Sequence, residues 1–303
     1  MQHSQRGSTV RLVVASMLVS VLPISAAFAQ DLDEAAVNRS GKLLLTAGVS
    51  QVEGAAGGGL TPWAVIAGYG TRDQVGANAY LTEVVLSDFR LRSAGLALGW
   101  HDRIELSLSR QRFDTQDVGS TLGLGQGFAI SQDTVGVKWR LLGDAVLDQD
   151  TWVPQISVGL QHKRNHEGDL LAAIGAARDS DTEVYLSATK LLLAHSLLIN
   201  GTLRMTRANQ FGILGFGGDL RDSHSLQVET SVAYLLNREL AVGAEYRSKP
   251  DNLGIANEDD AWDVFVAWAP NKTISVTVAY VDLGNIVIAD HQHGLYASLQ
   301  FGF

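Results

Sequence analysis

The chain has 303 residues, no cysteine, 23 Lys and Arg against 32 Asp and Glu, and a formal net charge of −9. An acidic balance argues against nucleic acid as a partner, because a phosphate backbone is neutralised by Lys and Arg. The missing cysteines exclude a disulfide framework and a thiolate metal site.

Residues 1–29 read as a secretory signal peptide: Arg6 and Arg11 without an acid, an apolar run from Leu12 to Leu22, Pro23, and then Ala27, Phe28 and Ala29 before Gln30. Residues 30–41 read as a short periplasmic segment. After Gln30 no apolar stretch reaches the ~18 residues that suggest a membrane helix, and mean hydropathy is close to neutral at +0.07. A mature chain entering a membrane would therefore do so as strands, closed into a barrel so that every backbone group is paired.

Alternation supplies the strands. Leu226, Val228, Val232 and Tyr234 alternate with Gln227, Glu229, Ser231 and Ala233, and Val264, Val266 and Trp268 alternate with Asp263, Phe265 and Ala267. Ile274, Val276, Val278 and Tyr280 alternate with Ser275, Thr277 and Ala279. That is the lipid-out, lumen-in period of an outer-membrane strand, with Trp and Tyr at interfacial depth.

Segments of the ~10 residues that a tilted membrane strand needs start near Lys42, Pro62, Gly76, Phe89, Ile104, Asp133, Val153, Thr182, Leu197, Leu226, Leu240, Ala261, Thr273 and Leu295. The predicted fold is all-β, a transmembrane antiparallel up-and-down barrel of about fourteen strands over residues 42–303, with twelve as the other count. Links before Ile104, Leu197, Leu240 and Thr273 are short, whereas those before Asp133, Thr182, Leu226, Ala261 and Leu295 are long and rich in Gly, Asp and Asn. Such sorting fits periplasmic turns and extracellular loops. Ser87–Asp88 breaks the pattern, the segments before Phe89 are the least determined, and Gly54–Gly59 reads as either a rim loop or an inward plug.

Apolar-out parity points Glu105, Lys138, Arg140, Arg204, Glu229, Glu245 and Arg247 into the lumen. Charges of both signs suit a wet pore or a lumen closed by ion pairs; the pore for small solutes is the leading expectation. A three-residue turn pairs Trp100 with Ile104 and so sets Arg92 opposite Arg112, with Arg90 and Arg110 nearby. Guanidinium forks at that height suit lipopolysaccharide phosphates, against the alternative of a solvated rim. Glu258, Asp259, Asp260 and Asp263 read as a solvated acidic mouth rather than a Ca²⁺ loop.

Asp290, His291 and His293 form a weak transition-metal candidate, lacking a third placed ligand, and no metal or cofactor is expected. Gly123, Gly125 and Gly127 lack the strand and helix context of a dinucleotide fingerprint. His195–Ser196 and His224–Ser225 are sequence neighbours, which places their side chains on opposite faces of a strand and defeats proton transfer. An enzyme is not expected.

The last segment, LYASLQFGF, puts Leu299, Phe301 and Phe303 on one face and ends on the aromatic, similar to the signal that the barrel-assembly machinery reads. The stretches GKLLLTAGVSQVEGAAGGGLTPWAVIAGYGTRDQ, RQRFDTQDVG, LLGDAVLDQD, NQFGILGFGGD and EYRSKPDNLG resemble an uncharacterised family of exported proteobacterial proteins, catalogued as a domain of unknown function. The resemblance spans Gly41 to Phe303 and implies a proteobacterial envelope protein, with no substrate or catalytic residue attached; outer-membrane lipid is the partner expected from the outward apolar faces.

Overall fold

The structure, a computed structural model, describes residues 41–303. The predicted signal peptide and residues 30–40 lie outside them. Alternation becomes a closed antiparallel barrel of twelve strands, the lower of the two expected counts. In chain order two short inner strands, β1 (Val49–Ser50) and β2 (Ala56–Gly57), precede the wall. The wall is β3 (Val75–Leu86), β4 (Arg90–Trp100), β5 (Ile104–Asp114), β6 (Ala129–Leu142), β7 (Gln155–Asn165), β8 (Ser180–Leu192), β9 (Leu197–Thr206), β10 (Ser225–Leu235), β11 (Leu240–Arg247), β12 (Ala261–Trp268), β13 (Ile274–Asp282) and β14 (His293–Gly302).

Each strand pairs with its sequence neighbours, and β14 closes on β3 with Gly302 opposite Asn78 and Gly294 opposite Leu86. Backbone bonds between Ala77 and Phe303, at 2.8 and 3.0 Å, finish the seam. The period of two is visible in burial: β12 alternates strictly, with Trp262, Val264, Val266 and Trp268 exposed and Asp263, Phe265 and Ala267 buried. Large apolar side chains therefore cover the outside of the wall, among them Leu96, Leu106, Val135, Leu160, Leu203, Val232 and Val278. This inverts a soluble fold, in which such residues would be interior. Among the described residues no helix is long and apolar enough to cross a membrane.

The predicted hairpin register is met, with Trp100 opposite Ile104 and Arg92 opposite Arg112. Short links (101–103, 193–196, 236–239, 269–273) gather at the end where β3 begins and β14 finishes. The links 115–128, 166–179, 207–224, 248–260 and 283–292 gather at the other, with short helices α1 (Gln116–Thr121) and α2 (Gly168–Ala173) in the first two. Residues 87–89 remain a short link at the long-loop end, and 143–154 is the extended link among the turns. Outward aromatics stand near both ends: Trp100, Trp139, Tyr234 and Trp268 towards the short turns, Tyr246, Trp262 and Tyr280 towards the long loops.

The first two expected wall strands, near Lys42 and Pro62, are a correction. Residues 42–74 contribute nothing to the wall, which starts at Val75. Their apolar and small residues alternate well enough to imitate a strand, but their backbone bonds go elsewhere.

Candidate functional site: a filled lumen

Every residue from Leu45 to Gly70 is buried, which a surface segment cannot be. Its partners lie on inward positions of ten of the twelve wall strands, so the segment runs along the barrel axis. The chain enters at the short-turn end, where the Lys42 ammonium lies 2.7 Å from Asp102. It rises through β1, turns at residues 51–55 and returns through β2, with Val49 opposite Gly57. The Gly54–Gly59 run is thus a plug rather than a rim loop.

So short an inner sheet leaves many backbone groups to be satisfied by wall side chains, as buried amides require. The Val52 carbonyl accepts from Ser93 Oγ at 2.6 Å and Gln111 Nε2 at 2.8 Å. Glu105 accepts from the amides of Ala56 (3.1 Å) and Ala67 (2.8 Å), while Lys138 donates to the carbonyls of Ala56 and Val65, both at 2.9 Å. Glu245 accepts from the Leu60 amide at 2.7 Å and from Thr61 Oγ1 at 2.5 Å. The Pro62 carbonyl accepts from Thr202 Oγ1 at 2.8 Å and that of Ala64 from Ser157 Oγ at 2.5 Å. Close approach dictates the glycines: a Cβ on Gly58 would stand 1.9 Å from the Glu245 carboxylate. The polar lumen wall is the complement of this segment.

Between Leu43 and Thr71 the segment carries one charge, Glu53. It lies at the turn and meets cations from three strands: Lys163 Nζ at 2.5 Å, Arg247 at 3.0 and 3.1 Å, and Arg204 at 4.0 Å. Arg204 also holds Glu183 at 2.8 Å and Glu229 at 2.5 Å, and Lys163 holds Glu183 at 2.9 Å. Its guanidinium rests over the Tyr185 ring, 5.0 Å from the centroid, and that ring lies across Gly159, where a Cβ would come within 2.1 Å of it. Three carboxylates and three cations, all buried, cancel in charge. Burial without such pairing would cost several kcal/mol per ion.

A second closure descends from the long-loop end. Residues 208–217 of the 207–224 link fold inward and are buried, with Gln210 and Phe211 held at positive φ of 44° and 61°. Positive φ is costly for such residues and persists only where surroundings impose it. The Phe211 carbonyl accepts from Lys163 at 3.2 Å, and Arg247 stacks on its ring at 4.1 Å. The same two cations thus grip Glu53 and the inward loop. Lys249 extends the grip to Gln210 at 2.6 Å and Glu258 at 3.1 Å, and burial pushes the Glu258 carboxyl above its ordinary value against the pull of Lys249.

All seven charges expected to face the lumen do so and are buried, but they are consumed by ion pairs and by the segment. Arg140 is the outlying one, bound at the short-turn rim to Asp102 and to Asp144 at 2.9 Å. Burial alone would raise the Asp144 carboxyl; the amides of Leu147 and Val146 and the Arg140 guanidinium hold it below its ordinary value. Sequence reasoning missed Glu53, Lys163 and Glu183. A lone acid in a glycine-rich stretch was the available signal for the first.

The acidic mouth is met in part, with Asp259 and Asp260 exposed, and corrected in part. Glu258 and Asp263 are buried, and Asp260 accepts from the Lys249 amide at 3.0 Å and from the Tyr246 hydroxyl. His293 Nδ1 turns onto the His291 carbonyl at 2.8 Å, and among the described residues no three His, Cys, Asp or Glu side chains converge as metal ligands, Asp290 included. Leu299, Phe301 and Phe303 lie on the outward face of the closing strand, where Phe303 is exposed.

No curated protein matches the chain in sequence. Among solved structures it is similar to the KdgM porin, at 10% identity and a TM-score of 0.49 over 75% of this chain and 99% of that one. The NanC porin gives 11% identity and 0.48 over 74% and 98%, and the outer membrane phospholipase A from Escherichia coli 10% and 0.42 over 74% and 89%. At these values neither cargo nor chemistry is carried over. Residues 46–300, which take in most of the inner segment and almost all of the wall, match one family throughout, and the chain belongs to it: the family described as "Protein of unknown function (DUF3034)".

Proposed function

We propose that the protein is an outer-membrane barrel whose passage for small solutes is shut at rest by its own inner hairpin. The unbroken burial of Leu45–Gly70 on the barrel axis carries this reading. The hairpin is held through hydrogen bonds to Ser, Thr, Gln, Glu and Lys side chains, which water can replace, so its departure would leave a hydrated, charged bore. Apolar packing of Leu45 and Trp63 with Leu198, Ala233, Ala241 and Phe265 adds to that hold at the short-turn end. The second reading, a structural or lipopolysaccharide-interacting barrel that never opens, is favoured by the additional seal at residues 208–217. No catalytic step is assigned.

Planar-bilayer recordings of the full chain test the resting state. We expect a silent barrel with rare brief openings; stable conductance from the moment of insertion would overturn the hairpin as a closure.

The membrane setting has its own test. Val264 faces outward between Trp262 and Trp268, and Val264→Arg should cost about 2–4 kcal/mol at hydrocarbon depth. Urea titration of barrels folded into phospholipid vesicles would read it, and a change within ~0.5 kcal/mol, as on a soluble surface, would argue against a lipid-facing wall. Deleting Phe303 removes both seam bonds to Ala77 along with the exposed aromatic. Assembly by the barrel machinery in cells is expected to fall severely, as read by heat-modifiable mobility; undiminished insertion would remove the terminal aromatic from the argument.

A further inference from the structure

Five arginines stand on the outward face of β4, β5 and β7 near the long-loop end: Arg90, Arg92, Arg110, Arg112 and Arg164. The register gathers them. Arg92 is directly opposite Arg112, and Arg110 and Arg164 flank Asp133 on either side.

Counter-charge is short. Glu83 is shared by Arg90 at 3.5 Å and Arg92 at 3.2 Å, while Asp133 takes Arg110 at 3.6 Å and His166 at 2.8 Å. Arg112 and Arg164 have no ion pair among the described residues. Like charges directly opposed on an antiparallel pair repel, and an anion from outside the chain would relieve that repulsion.

Position says which anion. Arg112 lies eight residues along β5 from Ile104, which sits beside Trp100 and Trp139. At ~3.3 Å per residue and a tilt of ~40°, that is roughly 20 Å above the lower aromatic ring, near the top of an apolar band about 25 Å tall. The cluster is also one-sided: the outward positions of β9 to β13 carry no Lys or Arg at all.

We infer that this face binds the phosphates of an outer-leaflet glycolipid, the phosphorylated sugar head group of lipopolysaccharide. Arg112 and Arg164 supply the unpaired guanidinium forks, whose planar donors match phosphate oxygens in pairs. Arg90, Arg92 and Arg110 add attraction that their two shared carboxylates only partly offset. The sequence pointed to four of these residues; Arg164 enters through the β6–β7 register. The inference rests on the membrane setting proposed above.

The test uses the full chain isolated from outer membranes, with retained lipopolysaccharide quantified by mass spectrometry. Arg112→Glu with Arg164→Glu should lower retention about tenfold, whereas Arg72→Glu, an exposed position near the short turns, should leave it unchanged. Arg112→Gln with Arg164→Gln serves if charge reversal prevents folding. In neutral detergent, lipid A bearing its phosphates should raise the Tm of the wild-type barrel and not that of the double variant. Equal retention by the double variant would overturn the inference. So would equal stabilisation by dephosphorylated lipid A, or by inorganic phosphate alone. Absence of the wild type from the outer-membrane fraction would instead sink the membrane setting, and the detergent titration would still read the site.

Discussion

Glu53→Gln is expected to turn a silent barrel into one that opens repeatedly, with an open probability about a hundredfold above wild type in planar bilayers. Glu53 is the sole charge between Leu43 and Thr71 and answers Lys163, Arg204 and Arg247. Without it the buried cluster holds three cations against Glu183 and Glu229. Removing one partner from a buried ion cluster costs roughly 3–5 kcal/mol, and each ~1.4 kcal/mol is tenfold in a population. Glutamine keeps the shape and part of the hydrogen bonding, which places the effect near the lower end. The penalty falls on the closed state, since an unplugged bore would hydrate the same cations. A complementary lock is available because the chain has no cysteine: Thr61 Oγ1 and Ser231 Oγ are 2.5 Å apart, so a Thr61→Cys, Ser231→Cys pair should restore silence when oxidised and lose it on reduction. Unchanged silence in Glu53→Gln would mean that the charge of Glu53 is not what keeps the bore shut, the closure resting on the backbone contacts of Glu105, Lys138 and Glu245 or on the inward loop at 208–217.

Arg204→Met should produce the largest loss of stability of any single wall substitution, about 3–5 kcal/mol in urea titrations of the lipid-folded barrel. Arg204 lies within 4.0 Å of Glu53, Glu183 and Glu229 and has Tyr185 beneath it. Methionine replaces the stem and leaves carboxylates short of a cation, buried where water cannot reach them. Adding Glu229→Gln rebalances the charge and should recover part of the loss. Because the cluster is buried, both effects should persist at 1 M salt, where surface pairs are screened. A loss below about 1 kcal/mol would show the network to be hydrated and dispensable.

These residues also mark how far the sequence could be read. From Gly76 onward the sequence places each wall strand to within a few residues, because one face of a barrel strand meets hydrocarbon and the other does not, and parity records that contrast. The inner hairpin hid from the same reasoning. Leu43–Ser50 and Pro62–Gly70 are apolar and small, which serves a lumen axis as well as a lipid face, and parity cannot tell which environment the apolar face meets. Lys163 and Arg164 are adjacent charges on one strand, so composition alone did not say which of them was inward. The inward loop at 208–217 escaped because its Phe-Gly-Ile-Leu-Gly-Phe core lies where length predicted only an exposed link.

The seam between β14 and β3 joins residues more than two hundred positions apart, while the hairpin that touches ten strands precedes the wall in sequence. Closing so long a loop is slow when nothing prepares it, since its entropy is spent before the contacts reward it. The hairpin can serve as a mandrel: ten wall strands find inward hydrogen-bond partners on it as it is ordered with them, and a shared centre helps to set the circumference before the last edge meets the first. Deleting residues 41–70 would then disturb assembly as well as gating, whereas a point change at Glu53 leaves the mandrel in place.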